Sequence, residues 1–323
     1  MREIIINFPK QFKLGLKAAE DIKLKGNFKA VLVCAMGGSA LSGDLLDIYF
    51  EDQKIKTPLF VHKDYNLPRR INENHLIICI SYSGDTQETI TAYQEALKRE
   101  SPLVVIASGG KLGSLCEKNK TPWAQVPVGL PPRMAIGYQF GALLKILINA
   151  GLLPQEAEKE LLSLEKKLEP AKLEAKAKEL AKKIKDKIPV VYASGRLKPL
   201  AYIWKIKFNE TAKIPAFYNV FPELDHNELS SFENQLTKLF VLILKDTQDN
   251  QKIADRIKLT AEIIKRKKAG LEIIDLDGKD IFYKIFSNII LADWTTFHLA
   301  SLYRTDPISI KLQEGFKKKI QKS

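Results

Sequence analysis

Residues 76–97 constrain the fold more tightly than any other stretch. Five consecutive apolar side chains, Leu76-Ile77-Ile78-Cys79-Ile80, end abruptly at Ser81-Tyr82-Ser83-Gly84-Asp85-Thr86-Gln87-Glu88-Thr89, and a helical pattern follows over 90–97. A short run that is apolar at every position fits a strand of a parallel sheet, whose two faces are both covered by helices. The same order of strand, small-residue turn and helix recurs. Ala30-Val31-Leu32-Val33-Cys34 precedes Met36-Gly37-Gly38-Ser39, Leu103-Val104-Val105-Ile106 precedes Ser108-Gly109-Gly110, and Ile188-Pro189-Val190-Val191-Tyr192 precedes Ser194-Gly195-Arg196. Residues 59–62, 239–244 and 271–276 read as further strands, and 123–128 as an edge strand. This alternation predicts an α/β fold of doubly wound, mostly parallel sheets flanked by helices, with ligands bound beyond the carboxyl ends of the strands.

The turn at 81–89 suits a particular ligand. Three hydroxyls, Ser81, Ser83 and Thr86, surround Gly84 where a helix begins. The first N–H groups of a helix lack carbonyl partners and carry the positive end of its dipole, so they favour an anion with several acceptor oxygens. A helix cap alone needs one hydroxyl; three point to a phosphate cradle. Gly37-Gly38-Ser39 has the same logic, with glycine used either for close approach to the ligand or for the shape of the turn alone. It does not match the GxGxxG dinucleotide pattern.

The 323 residues suffice for two domains. We expect a first domain over 1–152, a Glu-, Lys-, Leu- and Ala-rich helical linker over 153–187 broken at Pro170, and a second domain with a terminal helix over 188–323. Residues 1–28 read as one or two amphipathic helices burying Phe12, Leu14, Leu16 and Ile22. No apolar run reaches the length of a membrane span and the amino terminus lacks a signal-peptide pattern, so the expectation is a cytoplasmic protein without membrane association. Cys34, Cys79 and Cys116 are expected to be structural thiols. The net charge of +13 comes without the interleaved aromatics or reading motifs of a nucleic-acid site, so no nucleic acid is expected; a basic field still attracts an anionic substrate.

Three further residues stand out. Arg133 follows two prolines at a helix start, where the helix dipole disfavours a cation. Glu210 lies in Phe208-Asn209-Glu210-Thr211-Ala212-Lys213 and is either a salt-bridge partner of Lys207 and Lys213 or a working carboxylate. His226 stands between Asp225 and Glu228, carboxylates placed to orient its ring, and its ordinary pKa suits it to give and take a proton near neutrality.

Together these segments identify the chain as resembling the bifunctional phosphoglucose/phosphomannose isomerases, whose two subdomains are of the sugar isomerase (SIS) type. The residues 81–89 resemble the SxSGxTxET phosphosugar signature, Pro132-Arg133 with Gly137 the P-R-x-x-x-G segment, Asn209-Glu210 with Ala212-Lys213 the N-E-x-A-K segment, and Pro222-Glu223-Leu224-Asp225-His226-Asn227-Glu228 the P-E-L-x-H-N-E segment. Asp306-Pro307-Ile308-Ser309-Ile310 is similar to D-P-x-x-V, though the family often has Thr-Pro where this chain has Ile308-Ser309. The resemblance implies an aldose–ketose isomerase that interconverts glucose 6-phosphate and mannose 6-phosphate with fructose 6-phosphate through a cis-enediol. It implies that Gly38, Ser39, Ser81, Ser83 and Thr86 bind the phosphate. Glu210 would move the proton, Arg133 would stabilise the enediolate, and His226 and Lys317 would assist ring opening. It further implies a homodimer whose histidine comes from the neighbouring subunit, with no metal or redox cofactor. A phosphosugar-binding regulator without activity, and an isomerase of another sugar phosphate, are the alternatives.

Overall fold

The computed structural model describes residues 1–320, and of Lys317 and Lys318 only their place in a helix. Two compact units divide the chain. The first takes Asn7–Leu168 with Asp280–Tyr283, and the second takes Met1–Ile6, Glu169–Lys279 and the chain from Lys284 onward.

After α1 (Arg2–Ile6), the first unit runs α2 (Gln11–Ala18), β1 (Ala30–Ala35), α3 (Gly37–Asp52), β2 (Leu59–His62), β3 (His75–Ser81) and α4 (Gln87–Lys98). It continues with β4 (Leu103–Ala107), α5 (Gly110–Asn119), β5 (Trp123–Gln125), α6 (Ile136–Asn149) and α7 (Glu156–Lys167). Its sheet is parallel throughout, in the order β2-β1-β3-β4-β5. The continuous apolar runs became β1, β3 and β4, in which every side chain except His75 is buried. From β1 the chain moves to one side to form β2 and then returns to the other for β3. The strand order therefore reverses between β1 and β3, which opens a crevice at their carboxyl ends.

The second unit holds α8 (Pro170–Ile184), β6 (Ile188–Ser194), α9 (Lys198–Lys207), β7 (Phe217–Phe221), β8 (Leu239–Lys245), α10 (Gln251–Arg266) and β9 (Gly270–Asp275). It also holds most of α11 (Ile281–Leu302), and α12 (Lys311–Ile320). Its sheet is again parallel, in the order β7-β6-β8-β9. Pro170 opens α8, where its missing N–H is no loss. The stretch 153–187 thus contains two helices, α7 in the first unit and α8 in the second.

One expected core position is corrected. Phe12, Leu16 and Ile22 are buried, but Leu14 is 43% exposed. The packed face of α2 is built by Gln11, Phe12, Gly15 and Leu16, and Leu14 falls about 200° around the helix from Phe12. Cys34, Cys79 and Cys116 are free and buried. Among the described residues no helix is long and apolar enough to cross a membrane.

Candidate functional site

In the first unit, the turns after β1 and β3 meet at the crevice. Ser81 is buried at the end of β3, where its Oγ accepts the Gly84 N–H at 3.1 Å and donates to Thr86 Oγ1 at 2.9 Å. The hydroxyl of Ser39, near the start of α3, accepts the Tyr82 N–H at 3.0 Å and ties one turn to the other. These two hydroxyls therefore hold the shape of the loop. Ser83 is exposed and Thr86 half-buried. Thr86 is the N-cap of α4 and makes no side-chain cap bond, so it and the first N–H groups of α4 face the crevice without a side-chain cap.

Glycine is required at two points here. Gly84 has φ +76°, and a Cβ there would lie 1.9 Å from the Gly109 carbonyl oxygen. A Cβ on Gly38 would lie 2.9 Å from the Arg133 backbone nitrogen and 3.1 Å from its Cα. Gly38 thus lets the 37–39 turn press against the segment that carries Arg133. We expect Gly84→Ala to weaken binding of inorganic phosphate about tenfold, because a side chain at positive φ costs about 1–2 kcal/mol before the collision is counted. Phosphate titration by calorimetry checks it.

Arg133 sits in a single 3₁₀ turn, Pro132–Met134, and is only 1% exposed. On the carboxyl side of that turn, Gln11 of α2 donates from Nε2 to the Met134 carbonyl at 2.9 Å and accepts the Gly137 N–H at 3.1 Å. On its amino side, the Tyr82 hydroxyl donates to the Pro127 carbonyl at 2.8 Å and accepts the Leu130 N–H at 3.1 Å. The first unit therefore brings Gly38, Ser39, Ser81, Ser83, Thr86 and Arg133 into one neighbourhood. The sequence reading missed Tyr82 and Gln11. Tyr82 occupies a spacer position of the serine-rich turn, and nothing local marked Gln11.

In the second unit, α9 ends in a single π turn, Phe208–Ala212, which contains Glu210; such turns often occur at functional sites. Lys207 is buried and ion-paired with Asp293 at 2.6 Å. Lys213 donates from Nζ to the backbone carbonyls of Glu210 at 3.2 Å and Ser309 at 2.6 Å. Glu210, Lys213 and the 309–313 segment line a cavity of about 430 Å³. Asp306 explains the bend before it: its carboxylate accepts the Ile308 N–H at 2.8 Å, and that bond holds its pKa below the ordinary value.

His226 ends a 3₁₀ turn, Glu223–His226, that follows β7. It is exposed, and the expected help from its neighbours is corrected. Asp225 accepts from Arg256 Nη1 and Thr260 Oγ1 of α10, each at 2.9 Å, and Glu228 accepts from Asn219 Nδ2 at 2.7 Å. In so tight a turn, adjacent side chains diverge; the carboxylates anchor the loop rather than the ring. Because α9 runs back along the sheet, Glu210 lies at the amino end of β7 and His226 beyond its carboxyl end, separated by roughly 15 Å of strand. The structure does not bring these two residues of one chain together. The side chain of Lys317, which lies on α12, is outside the described residues. Among the described residues no group of three or more His, Cys, Asp or Glu side chains is placed to hold a metal ion.

Residues 27–121 match the SIS domain family, and residues 173–320 match the family described as the bacterial phospho-glucose isomerase C-terminal SIS domain. A bifunctional phosphoglucose/phosphomannose isomerase of Caldicellulosiruptor bescii is 35% identical, over 99% of this chain and 98% of its own. One of Aquifex aeolicus is 34% identical over 91% of each chain. A D-glucosamine-6-phosphate 4-epimerase of Sulfolobus acidocaldarius is 28% identical over 93% of this chain and 87% of its own. The C-terminal domain of a glucosamine-fructose-6-phosphate aminotransferase from Francisella tularensis has the same fold, with a TM-score of 0.75 over 96% of this chain and 98% of its own, at 17% identity.

Proposed function

The chain belongs to the bifunctional phosphoglucose/phosphomannose isomerase family, and from that premise we infer that it interconverts glucose 6-phosphate and mannose 6-phosphate with fructose 6-phosphate. The two aldoses differ only at C2, and removing the C2 proton erases that difference in a planar cis-enediol. Rotation of the enediol about its C2–C3 bond presents either face of C2 to the same base, so one carboxylate that moves the proton between C2 and C1 serves both sugars. The observation that carries the reading is Glu210, held in a π turn at the wall of a cavity large enough for a hexose phosphate.

Around that step the other residues take distinct parts. Ser83, Thr86 and the first N–H groups of α4 bind the phosphate, in a loop shaped by Gly38, Ser39 and Ser81. Arg133 meets the negative charge that develops on the enediolate oxygens, where a fixed cation is worth more than in water. His226 and Lys317 assist ring opening by proton transfer to and from the ring oxygen and the C1 hydroxyl. The separation of Glu210 and His226 along β7 favours a homodimer in which a second copy supplies the histidine, since one hexose cannot reach both ends of the strand. We place the enzyme in the cytoplasm.

The test is fructose 6-phosphate formation from each aldose phosphate in the presence of EDTA. Turnover of both is expected. Turnover of neither, with phosphosugar still bound, would leave a sensor, and turnover of glucosamine 6-phosphate alone would leave an isomerase of another sugar phosphate. His226→Asn is expected to lower kcat/KM about 100-fold for the cyclic sugars, the usual weight of one acid–base group, and stopped-flow mixing with freshly opened substrate should recover part of that loss.

A further inference from the structure

Phosphate binds at the end of the sugar remote from the reacting carbons, so its binding energy aids the chemical step only if something carries it there. Tyr82 lies between the phosphate loop and the segment bearing Arg133. Its backbone belongs to the loop: the N–H donates to Ser39 Oγ, and the carbonyl accepts the Ser108 N–H at 2.9 Å. Its side chain, 5% exposed, belongs to the other segment, with the phenol oxygen bonded to Pro127 and Leu130, three residues before Arg133. Burial raises the phenol pKa above its ordinary 10.0, so the hydroxyl keeps its proton and both bonds at neutral pH. Beyond Arg133 the chain is fixed by Gln11 at Met134 and Gly137. The segment is thus pinned at its far end by the scaffold and at its near end by the loop that receives the phosphate.

Resting on the roles assigned above to the loop and to Arg133, we propose that Tyr82 is a positioning residue that couples the two: ordering of residues 81–86 by the phosphate fixes residues 127–133, and with them the guanidinium. The phenol does this through one donated and one accepted hydrogen bond, and phenylalanine keeps its shape while losing both.

The experiment compares the native enzyme with Tyr82→Phe, Arg133→Ala and the double variant on glucose 6-phosphate, with inorganic phosphate as a competitive inhibitor. Tyr82→Phe should lower kcat roughly tenfold, the weight of two ordinary hydrogen bonds, while KM and the phosphate inhibition constant fall or stay level, because phosphate no longer spends binding energy on ordering residues 127–133. In the Arg133→Ala background it should cost nothing further, because its effect runs through Arg133. Gln11→Met, which loosens the far end, should repeat the kcat-only loss. A loss appearing in KM or in phosphate inhibition, or multiplying with that of Arg133→Ala, would overturn the coupling. An Arg133→Ala enzyme as fast as the native one would instead overturn the role of Arg133, whatever Tyr82→Phe does.

Discussion

Glu210→Gln is expected to lower kcat about 10³-fold for both aldose phosphates while KM stays within about twofold. Glutamine has the shape of glutamate and can still hydrogen-bond a hydroxyl of the sugar, but it cannot accept a proton at working pH. Lys213 grips Glu210 through its backbone carbonyl, a bond the substitution leaves in place, so the π turn and the cavity wall should persist. kcat and kcat/KM should therefore fall together, as they do when an interaction made only in the transition state is lost. Steady-state kinetics in both directions checks it. A loss confined to KM would make Glu210 a binding residue.

The largest effect on stability is expected from Lys284→Met. Asp246, just past β8, is 2% exposed; it accepts from Lys284 Nζ of α11 and from Arg196 Nη2 after β6, each at 2.6 Å. Burial alone would raise its carboxyl, but the two cations outweigh it and hold the pKa below the ordinary 3.8. Methionine fills the volume of lysine and leaves a buried carboxylate with one of its two cations. Breaking a buried pair in this way costs about 3–5 kcal/mol, read as a lower urea midpoint at an unchanged slope. The sign of the pH dependence follows from the lowered carboxyl. The native advantage is fully present above pH 3.8 and is lost as the pH falls through the still lower value of the folded state, so native and variant should converge in acid.

The strands that were continuous apolar runs could be read from the sequence because a parallel sheet covered on both faces leaves no polar position to interrupt the run. β7 could not. It is an edge strand with Phe217 59% exposed and Asn219 at its centre, and its sequence does not separate it from the loop that follows. The turn at 81–86 was legible because hydroxyls and glycine crowd into a few residues. What organises the Arg133 segment was not, since the Tyr82 bonds span 45 and 48 residues and those of Gln11 span 123 and 126. Local pattern carries no trace of such pairs. Asp225 and Glu228 misled for the opposite reason. Nearness in sequence suggested a shared partner for His226, whereas Asp225, inside the 3₁₀ turn, bonds to α10 and Glu228, beyond it, bonds to β7.

The most direct test of the account is solvent deuterium exchange. Fructose 6-phosphate is incubated with the enzyme in heavy water, and the recovered aldose phosphates are examined by proton NMR at C2. Glucose 6-phosphate and mannose 6-phosphate should both appear with deuterium at C2, in amounts set by transfer through one base that exchanges with solvent, and Glu210→Gln should form neither. Aldose phosphates forming in the Glu210→Gln enzyme at the native rate, or a native enzyme that binds fructose 6-phosphate and returns it unchanged, would contradict it.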